Sequence, residues 1–415
     1  MKKFLPAIAL LVLCFTACAT NPKDAAVSFQ DRGNSYLEKG EYDKAIAQYT
    51  RAIKADPDYI DAYNNRSAAY FDKGDYDRAI EDCVQAIGLD PNNATAYHTR
   101  GLVYHTKGDP DTAIADYTKA ISITTNEIKT YGDRGDTFYD NANYEQAIAD
   151  YNRAIRITTN NGKYHVDRGS AYLDKGNYDQ AIADYTQAIK INPNDSLAYS
   201  NRGVAYDGKG DLDRAMADYT QAIKINPNDA RAYHFRGNAY NARDENDKAI
   251  ADYSQAIKIN PNYTTAYYNR GCTYDTKGEI DRAIADYTQA ISLDPNYAPA
   301  YYNRALAYQN TGVEIDKVIA DYTQAIRIDP NYAAAYINRG ILYKDKGDID
   351  KAIADYTQAM QLNAALVPAY YNRGNAYVIK KEYERAINDY TQALKLDPDH
   401  AGAKKGLEEA RKLQR

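Results

Sequence analysis

The sequence predicts an all-α protein built from tandem helix–turn–helix repeats. The first observation is a recurring phrase: DYTQAIKINPN occupies residues 184–194 and 218–228, and DYSQAIKINPN begins at Asp252. The second is a series of arginines spaced by 34 residues from Arg32 onwards, with one interval of 35 residues before Arg339. The third is composition, since 43 tyrosines stand beside six phenylalanines and no tryptophan. A fixed period of this length predicts one stacked array rather than several globular domains.

Each repeat has the pattern of two helices joined by a turn. When the recurring arginine is numbered position 7, eleven repeats cover residues 26–400. In repeat 6, Tyr199 and Gly203 at positions 4 and 8 share one helical face. A glycine at position 15 supplies the turn, and the second helix carries Ala215 and Tyr219 at the same periodicity. Asn-Pro or Asp-Pro then ends the helix, because proline disfavours helix in the residue before it.

Two charged features accompany the repeats. The tail AGAKKGLEEARKLQR, residues 401–415, predicts a single helix that caps the last repeat and faces solvent. Arginine stands at position 7 in all eleven repeats and aspartate at position 23 in ten of them, with Gln48 as the exception. We interpret the pair as an Arg–Asp bridge between packed helices. A stripe that binds phosphate or carboxylate is the alternative.

The N-terminus predicts export. Residues 1–17 combine a basic start, an apolar run too short to span a membrane and small residues, which is typical of a signal peptide. FTAC at residues 15–18 resembles a bacterial lipobox, which implies lipid, including palmitate, on Cys18, followed by a tether at residues 18–25. The alternative is cleavage after Ala19, which would leave an unlipidated periplasmic or secreted protein.

Composition and motifs argue against catalysis. The sequence contains no HExxH, no glycine-rich phosphate loop and no GxSxG, so we predict no enzyme activity, no metal and no cofactor. Cys83 and Cys272 lie in repeats 2 and 8, too far apart for a disulfide, and are expected to be free thiols. Removing residues 1–17, with Lys2 and Lys3, changes the net charge from −6 to −8. Acidity of this kind disfavours nucleic acid as a partner, and no small-molecule substrate is evident.

The 34-residue period, with its small, aromatic and proline positions, resembles the tetratricopeptide repeat (TPR). The resemblance covers about nine tenths of the chain. It implies a right-handed α-solenoid of eleven TPR units plus the capping helix. It also implies that the first helices line a concave groove through positions 2, 5, 9, 12 and 13. In this chain those positions vary between repeats, as a binding surface requires, and are mildly acidic overall.

The C-terminal half of this groove is aromatic, and we predict its working surface there. The tyrosines at position 5 are expected to bind a ligand rather than to support the fold, because rigid aromatic side chains are enriched where interfaces hold their energy. The alternative is that they only extend copies of the YYNR phrase and bind nothing. The predicted peptide-binding residues are Tyr268, Cys272, Asp275, Tyr302, Gln309, Asp345, Tyr371 and Asn375.

These features together predict a non-catalytic protein–protein interaction scaffold in the bacterial cell envelope. Its resemblance to envelope TPR lipoproteins implies a lipid-anchored protein, on the periplasmic side of the outer membrane, that binds peptide or protein segments. One alternative is an accessory subunit of an envelope glycan or peptidoglycan enzyme. The other is an unlipidated periplasmic or secreted structural protein.

Overall fold

The computed structural model describes residues 21–415, so the predicted signal peptide and Cys18 lie outside the described residues. Within this range the chain forms 23 α-helices and no β-strand. Contacts divide it into two compact parts, which we call the N-terminal part (residues 21–194) and the C-terminal part (residues 195–415). Each part is a series of antiparallel helix pairs, and each pair corresponds to one sequence repeat.

The N-terminal part contains α1 (Pro22–Leu37), α2 (Tyr42–Ala55), α3 (Ile60–Lys73), α4 (Tyr76–Leu89), α5 (Ala94–Thr106), α6 (Pro110–Ile123), α7 (Ile128–Asp140), α8 (Tyr144–Ile157), α9 (Gly162–Asp174) and α10 (Tyr178–Ile191). The C-terminal part contains α11 (Ser196–Gly208), α12 (Leu212–Ile225), α13 (Ala230–Asn241), α14 (Asn246–Ile259), α15 (Thr264–Thr276), α16 (Ile280–Leu293), α17 (Ala298–Gln309), α18 (Ile315–Ile328), α19 (Ala333–Asp345), α20 (Ile349–Leu362), α21 (Val367–Ile379), α22 (Tyr383–Leu396) and α23 (Ala401–Gln414). Odd-numbered helices up to α21 are the first helices of the repeats, and even-numbered ones are the second.

The first helix begins earlier than the repeat pattern indicates. Its N-cap is Asn21, whose side chain accepts a hydrogen bond from the Lys23 amide, and Pro22 occupies the first helical position. Asparagine at the cap followed by proline is a strong start signal for a helix. Residues 22–25, which the sequence assigned to the tether, therefore form the first turn of α1.

The turn between the two helices of a repeat requires a left-handed residue at position 15. Glycine takes this conformation in most repeats, as at Gly210 with φ of 78°. Ala142, Asp244 and Lys381 occupy the same position with φ of 55°, 59° and 61°. The turn therefore keeps its geometry where glycine is absent, at a steric cost that a Cβ imposes in this region.

Glycine at position 8 and tyrosine at position 24 fit together inside nine of the repeats, and repeat 9 has Ala305 in place of the glycine. Tyr253 is 1% exposed, and a Cβ built on Gly237 would lie only 2.7 Å from its Cε1 atom. The missing side chain lets the two helices approach closely around the ring. Repeat 2 has a different pair of residues at these two positions. Ser67 replaces the glycine and the small Cys83 replaces the tyrosine, with Oγ and Sγ 2.9 Å apart.

The predicted Arg–Asp bridge is confirmed in ten repeats. In repeat 8, Arg270 Nε and Nη2 donate to the two carboxylate oxygens of Asp286, both at 2.8 Å. The same bidentate pair joins the first and second helices elsewhere: Arg66–Asp82, Arg100–Asp116, Arg134–Asp150, Arg168–Asp184, Arg202–Asp218, Arg236–Asp252, Arg304–Asp321, Arg339–Asp355 and Arg373–Asp389. The position-23 aspartates are buried. An anion-binding stripe is excluded at these arginines because the Nε and Nη2 donors of each guanidinium are already bonded to an aspartate of the protein.

The arginine also reaches the preceding repeat. Arg270 Nη1 donates to Ser254 Oγ at 2.9 Å, at position 25 of repeat 7. Threonine fills this role in most repeats, as Thr357 does for Arg373 at 2.9 Å. We call this set of contacts the Arg–Asp–Thr joint. It explains the repeated DYT phrase: aspartate holds the arginine of its own repeat, tyrosine fills the core, and threonine receives the arginine of the next repeat.

The first repeat lacks this joint for a physical reason. No second helix precedes α1 in the described chain, so Arg32 is exposed. Within the described residues its side chain donates to Ser28 Oγ at 3.5 Å and lies over the Phe29 ring, 5.8 Å from the centroid. A carboxylate is not needed to neutralise an exposed arginine, and Gln48 stands where the other repeats have aspartate.

Helix α23 covers the last repeat. Ala403 and Ala410, on the inner face of α23, are fully buried. Gly402 and Gly406 lie directly against Tyr371 and Tyr390, where a Cβ would not fit. Its outward residues are charged and exposed. The helix thus has one small-residue face for packing and one charged face for solvent, as a terminal element of a repeat array needs.

Candidate functional site

The first helices of neighbouring repeats contact one another within each part, as α5 contacts α7 and α15 contacts α17. Their outward side chains at positions 2, 5, 9, 12 and 13 form what we call the first-helix surface. In the C-terminal part, the position-5 side chain of a repeat contacts position 34 of the same repeat and position 6 of the next, as Tyr268 contacts Tyr297 and Asn303. The surface is therefore made of contacts between repeats, and its chemistry differs between the two parts.

In repeat 8, Tyr268 and Cys272 are brought together. The Tyr268 ring packs edge-on against Tyr297, with centroids 5.1 Å apart. Asn303 Nδ2, from the next repeat, donates to the Tyr268 hydroxyl at 3.0 Å and to Cys272 Sγ at 3.4 Å. Burial raises the pKa of the Cys272 thiol, which keeps it protonated and poorly nucleophilic. Burial also raises the pKa of Asp275, one turn further along α15.

In repeat 9, Tyr302 lies two turns before Gln309, which ends α17. The Tyr302 ring stacks on Tyr332 with centroids 4.7 Å apart, and its hydroxyl accepts from Asn338 Nδ2 at 3.1 Å. Tyr302 thus supports the packing between repeats, contrary to the expectation that the fold does not need it. Gln309 is exposed, and its Oε1 accepts from the buried Tyr322 hydroxyl at 2.6 Å.

In repeats 10 and 11, Tyr371 and Asn375 line an open cleft of about 370 Å³ beside α23. Tyr371 packs on His400, with centroids 4.8 Å apart, and Asn375 Oδ1 accepts from the Tyr390 hydroxyl at 2.7 Å. Lys344 and Lys405 also line the cleft. Asp345 is exposed on α19 and pairs with Lys344 at 3.3 Å.

The eight predicted residues are thus distributed along α15, α17, α19 and α21 rather than gathered in one pocket. Sequence reasoning missed the residues that join them: Tyr297 and Tyr332 at position 34, and Asn303 and Asn338 at position 6. The signal was present, because asparagine precedes the repeated arginine in YYNR and INR, and tyrosine follows DPN. Neither position is among the groove positions that the family resemblance implies.

In repeats 3–5 of the N-terminal part, aspartate side chains join neighbouring first helices. His98 Nε2 lies 2.7 Å from Asp133 Oδ2, and both side chains are largely buried. Lys163 Nζ donates to Asp167 at 2.7 Å and to Asp136 at 3.4 Å. The acidic residues that the sequence places on this surface are therefore partly neutralised by neighbours and are not all available to a ligand.

Residues 21–415 contain no group of three His, Cys, Asp or Glu side chains arranged to hold a metal ion. None of the helices in this range has the length and apolar character needed to span a membrane. Cys83 and Cys272 are both free thiols, as expected.

Comparison with protein-family models identifies tetratricopeptide repeats along most of the chain. Models described as TPR repeat match residues 33–74, 68–108, 135–176, 169–210, 237–278, 273–312, 314–347 and 342–378. Models described as tetratricopeptide repeat match residues 94–127, 196–229 and 367–400. These last three ranges coincide with repeats 3, 6 and 11. A comparison with curated protein sequences finds no significant match.

Solved structures with related folds include several proteins. MamA is 31% identical over 40% of this chain and 96% of its own, with a TM-score of 0.37. YrrB, described as a TPR protein with an unusual peptide-binding site, is 23% identical over 46% of this chain and 97% of its own, with a TM-score of 0.42. Yeast Tom70 is 16% identical over 94% of this chain and 96% of its own, with a TM-score of 0.40. The family-model matches and the helix pairs together establish that the chain belongs to the tetratricopeptide repeat family, has its all-α solenoid fold and, like members of that family generally, is a protein-interaction scaffold.

Proposed function

We propose that this scaffold binds a peptide or an extended protein segment along the first-helix surface of repeats 8–11. The observation that carries the proposal is a contrast between layers of the same repeats. Positions 7, 23 and 24 keep Arg, Asp and Tyr in all four repeats, whereas positions 9 and 12 differ in every one of them and are partly or fully exposed. Variation confined to the surface layer is what recognition needs and what packing does not.

A photo-crosslinking amino acid placed at Gln309 tests this proposal. Gln309 is exposed on α17 within the first-helix surface, while Gln361 is exposed on the second helix α20 and serves as a matched control. In the native envelope we expect crosslinks from position 309 to a defined partner and few from position 361. Equal crosslinking from both positions, or none from 309, would reject the first-helix surface as the binding site.

We further propose that the protein acts in the bacterial cell envelope, anchored by lipid on Cys18. The support is the lipobox-like FTAC sequence at the end of an apolar segment. Cys18→Ser should abolish metabolic labelling with a fatty acid such as palmitate and move the protein to the soluble fraction. A parent protein that is already soluble and unlabelled would favour cleavage after Ala19 instead. A crosslinked partner that proves to be a glycan or peptidoglycan enzyme would favour the accessory-subunit alternative.

A further inference from the structure

The C-terminal part carries a row of aromatic pairs along one edge of its first-helix surface. Each pair joins position 5 to position 34 of the same repeat, with ring centroids 4.7 to 5.1 Å apart. We call this row the aromatic edge; it consists of His234–Tyr263, Tyr268–Tyr297, Tyr302–Tyr332 and Tyr371–His400. Repeat 10 places the apolar pair Ile337 and Leu366 in the same positions, so the row is continuous in apolar character.

The aromatic edge also offers hydrogen-bond donors. The Tyr302 hydroxyl accepts from Asn338 at 3.1 Å, and its own proton is bonded to no acceptor within residues 21–415. A phenol that already accepts one bond is oriented to donate its proton outward. A ligand with exposed carbonyl oxygens would therefore find an oriented donor beside an apolar ring.

Charge complementarity points to an uncharged ligand. In repeats 8–11, none of the residues at positions 5, 6, 9 and 34 is Asp, Glu, Lys or Arg. The same positions in repeats 1–4 carry four acidic residues: Asp31, Glu127, Asp133 and Asp136. A charged segment that contacts only these four positions would lose water without gaining a partner, which is costly, whereas an uncharged segment would not.

Spacing selects the backbone conformation of that ligand. Packed helices lie about 8–10 Å apart, which sets the rise from one aromatic pair to the next. A polyproline II helix advances about 9 Å per three-residue turn, and none of its carbonyls is used internally. One turn per repeat would therefore bring every third residue to a new aromatic pair, with carbonyl oxygens available to the tyrosine hydroxyls.

We propose that the aromatic edge binds an uncharged, proline-rich segment in the polyproline II conformation, an inference that rests on the proposed peptide-binding function. Proline rings pack on the tyrosine faces, and the preset backbone reduces the entropy lost on binding. Asn303 and Asn338 hold the hydroxyls of Tyr268 and Tyr302 in place, and both rings remain partly exposed.

Calorimetry with an acetylated, amidated peptide of ten prolines tests the inference on the purified protein. The key variant is Tyr302→Ile combined with Tyr332→Leu, which gives repeat 9 the apolar pair that repeat 10 already has. We expect it to weaken binding of the proline peptide by about tenfold or more while the melting curve still shows a folded protein. Tyr302→Phe, which removes only the hydroxyl, should weaken binding less.

Two controls make the result decisive. Tyr59→Leu changes a position-34 tyrosine in repeat 1, where position 5 is Gln30, and should leave binding unchanged. A flexible Gly-Ser peptide of the same length, also uncharged, should not bind. The inference is overturned if the parent fails to bind the proline peptide at millimolar concentration, if the double variant binds equally, or if the Gly-Ser peptide binds as well. Crosslinking through Gln309 to a partner without proline-rich sequence would overturn this inference and leave the peptide-binding function standing.

Discussion

The two parts of the molecule share one scaffold but differ in how neighbouring first helices are tied together. In the N-terminal part carboxylates make these contacts: Asp133 at position 6 of repeat 4 bonds to His98 of repeat 3, and Asp136 at position 9 of repeat 4 accepts from Lys163 of repeat 5. In the C-terminal part, position 6 supplies asparagines such as Asn303, which bond to a tyrosine hydroxyl. A contact made by a carboxylate leaves ionisable side chains on the first-helix surface. A contact made by an asparagine amide leaves that surface uncharged.

This difference separates two sets of positions in a repeat: buried positions that are the same in both parts, and first-helix surface positions that differ between them. The Arg–Asp–Thr joint and the buried tyrosine at position 24 lie beneath the surface and recur in both parts. Because they fix the spacing of the helices, the residues above them can change without loss of the fold. The N-terminal part therefore suits contact with polar or charged groups, and the C-terminal part suits contact with apolar, uncharged ones.

The largest expected effect tests whether the scaffold is equivalent in both parts. Asp150→Ala and Asp286→Ala each remove the carboxylate from a joint whose arginine is only 16% and 17% exposed. An arginine left buried without its partner should lower the free energy of unfolding by about 3–5 kcal/mol. Urea unfolding followed by circular dichroism measures the loss, and hydrogen exchange locates the repeat that opens.

Gln48→Ala is the matched control, because it changes position 23 of repeat 1, where Arg32 is exposed and has no carboxylate partner. We expect a much smaller loss there. If Asp150→Ala and Asp286→Ala differ strongly from each other, the two parts do not share one scaffold.

The second prediction concerns pH and applies to the C-terminal part. Burial lowers the pKa of His234 to about 4, because the protonated ring would lose its hydration. Asn269 Nδ2 also faces His234 Nε2 at 3.0 Å, and two donors would meet if this nitrogen were protonated. Unfolding frees the ring to bind a proton, so stability is complete above about pH 6.5 and falls as the pH drops toward 4, by up to about 3 kcal/mol.

Replacing the amide beside His234 with a carboxylate should reduce this loss of stability at low pH. Asn269→Asp places a carboxylate where Asp133 stands beside His98, and should raise the pKa of His234 by about one to three units. NMR titration of the histidine ring protons measures the shift. Asn303→Asp, at position 6 of the following repeat, bears on Tyr268 and should leave His234 unchanged. An unaltered pKa in Asn269→Asp would show that burial alone controls this ring.

The sequence was sufficient to predict the repeats, their turns and the Arg–Asp bridge, because each depends on residues within one period. The role of Thr357 in receiving Arg373 was not predicted, since it joins two repeats and only the fold brings them together. The same limit applied to the site. Position 5 was recognised, but Tyr332 and Asn338 were not, because which side chain meets Tyr302 depends on how repeats stack.

The smallest expected effect tests whether repeat 2 has the same helix spacing as the rest. Its position 8 is Ser67, whose Oγ donates to the Ala79 carbonyl at 2.9 Å, and its position 24 is Cys83 rather than tyrosine. Cys83→Tyr alone forces a ring against the serine and should cost about 1–3 kcal/mol. The double change Ser67→Gly with Cys83→Tyr restores the pair found in repeat 7 and should recover most of that loss. A double-mutant cycle on unfolding free energies measures the coupling between the two positions. If Cys83→Tyr is neutral on its own, the helices of repeat 2 already lie far enough apart for a ring, and the two parts differ in their scaffold as well as in their surface.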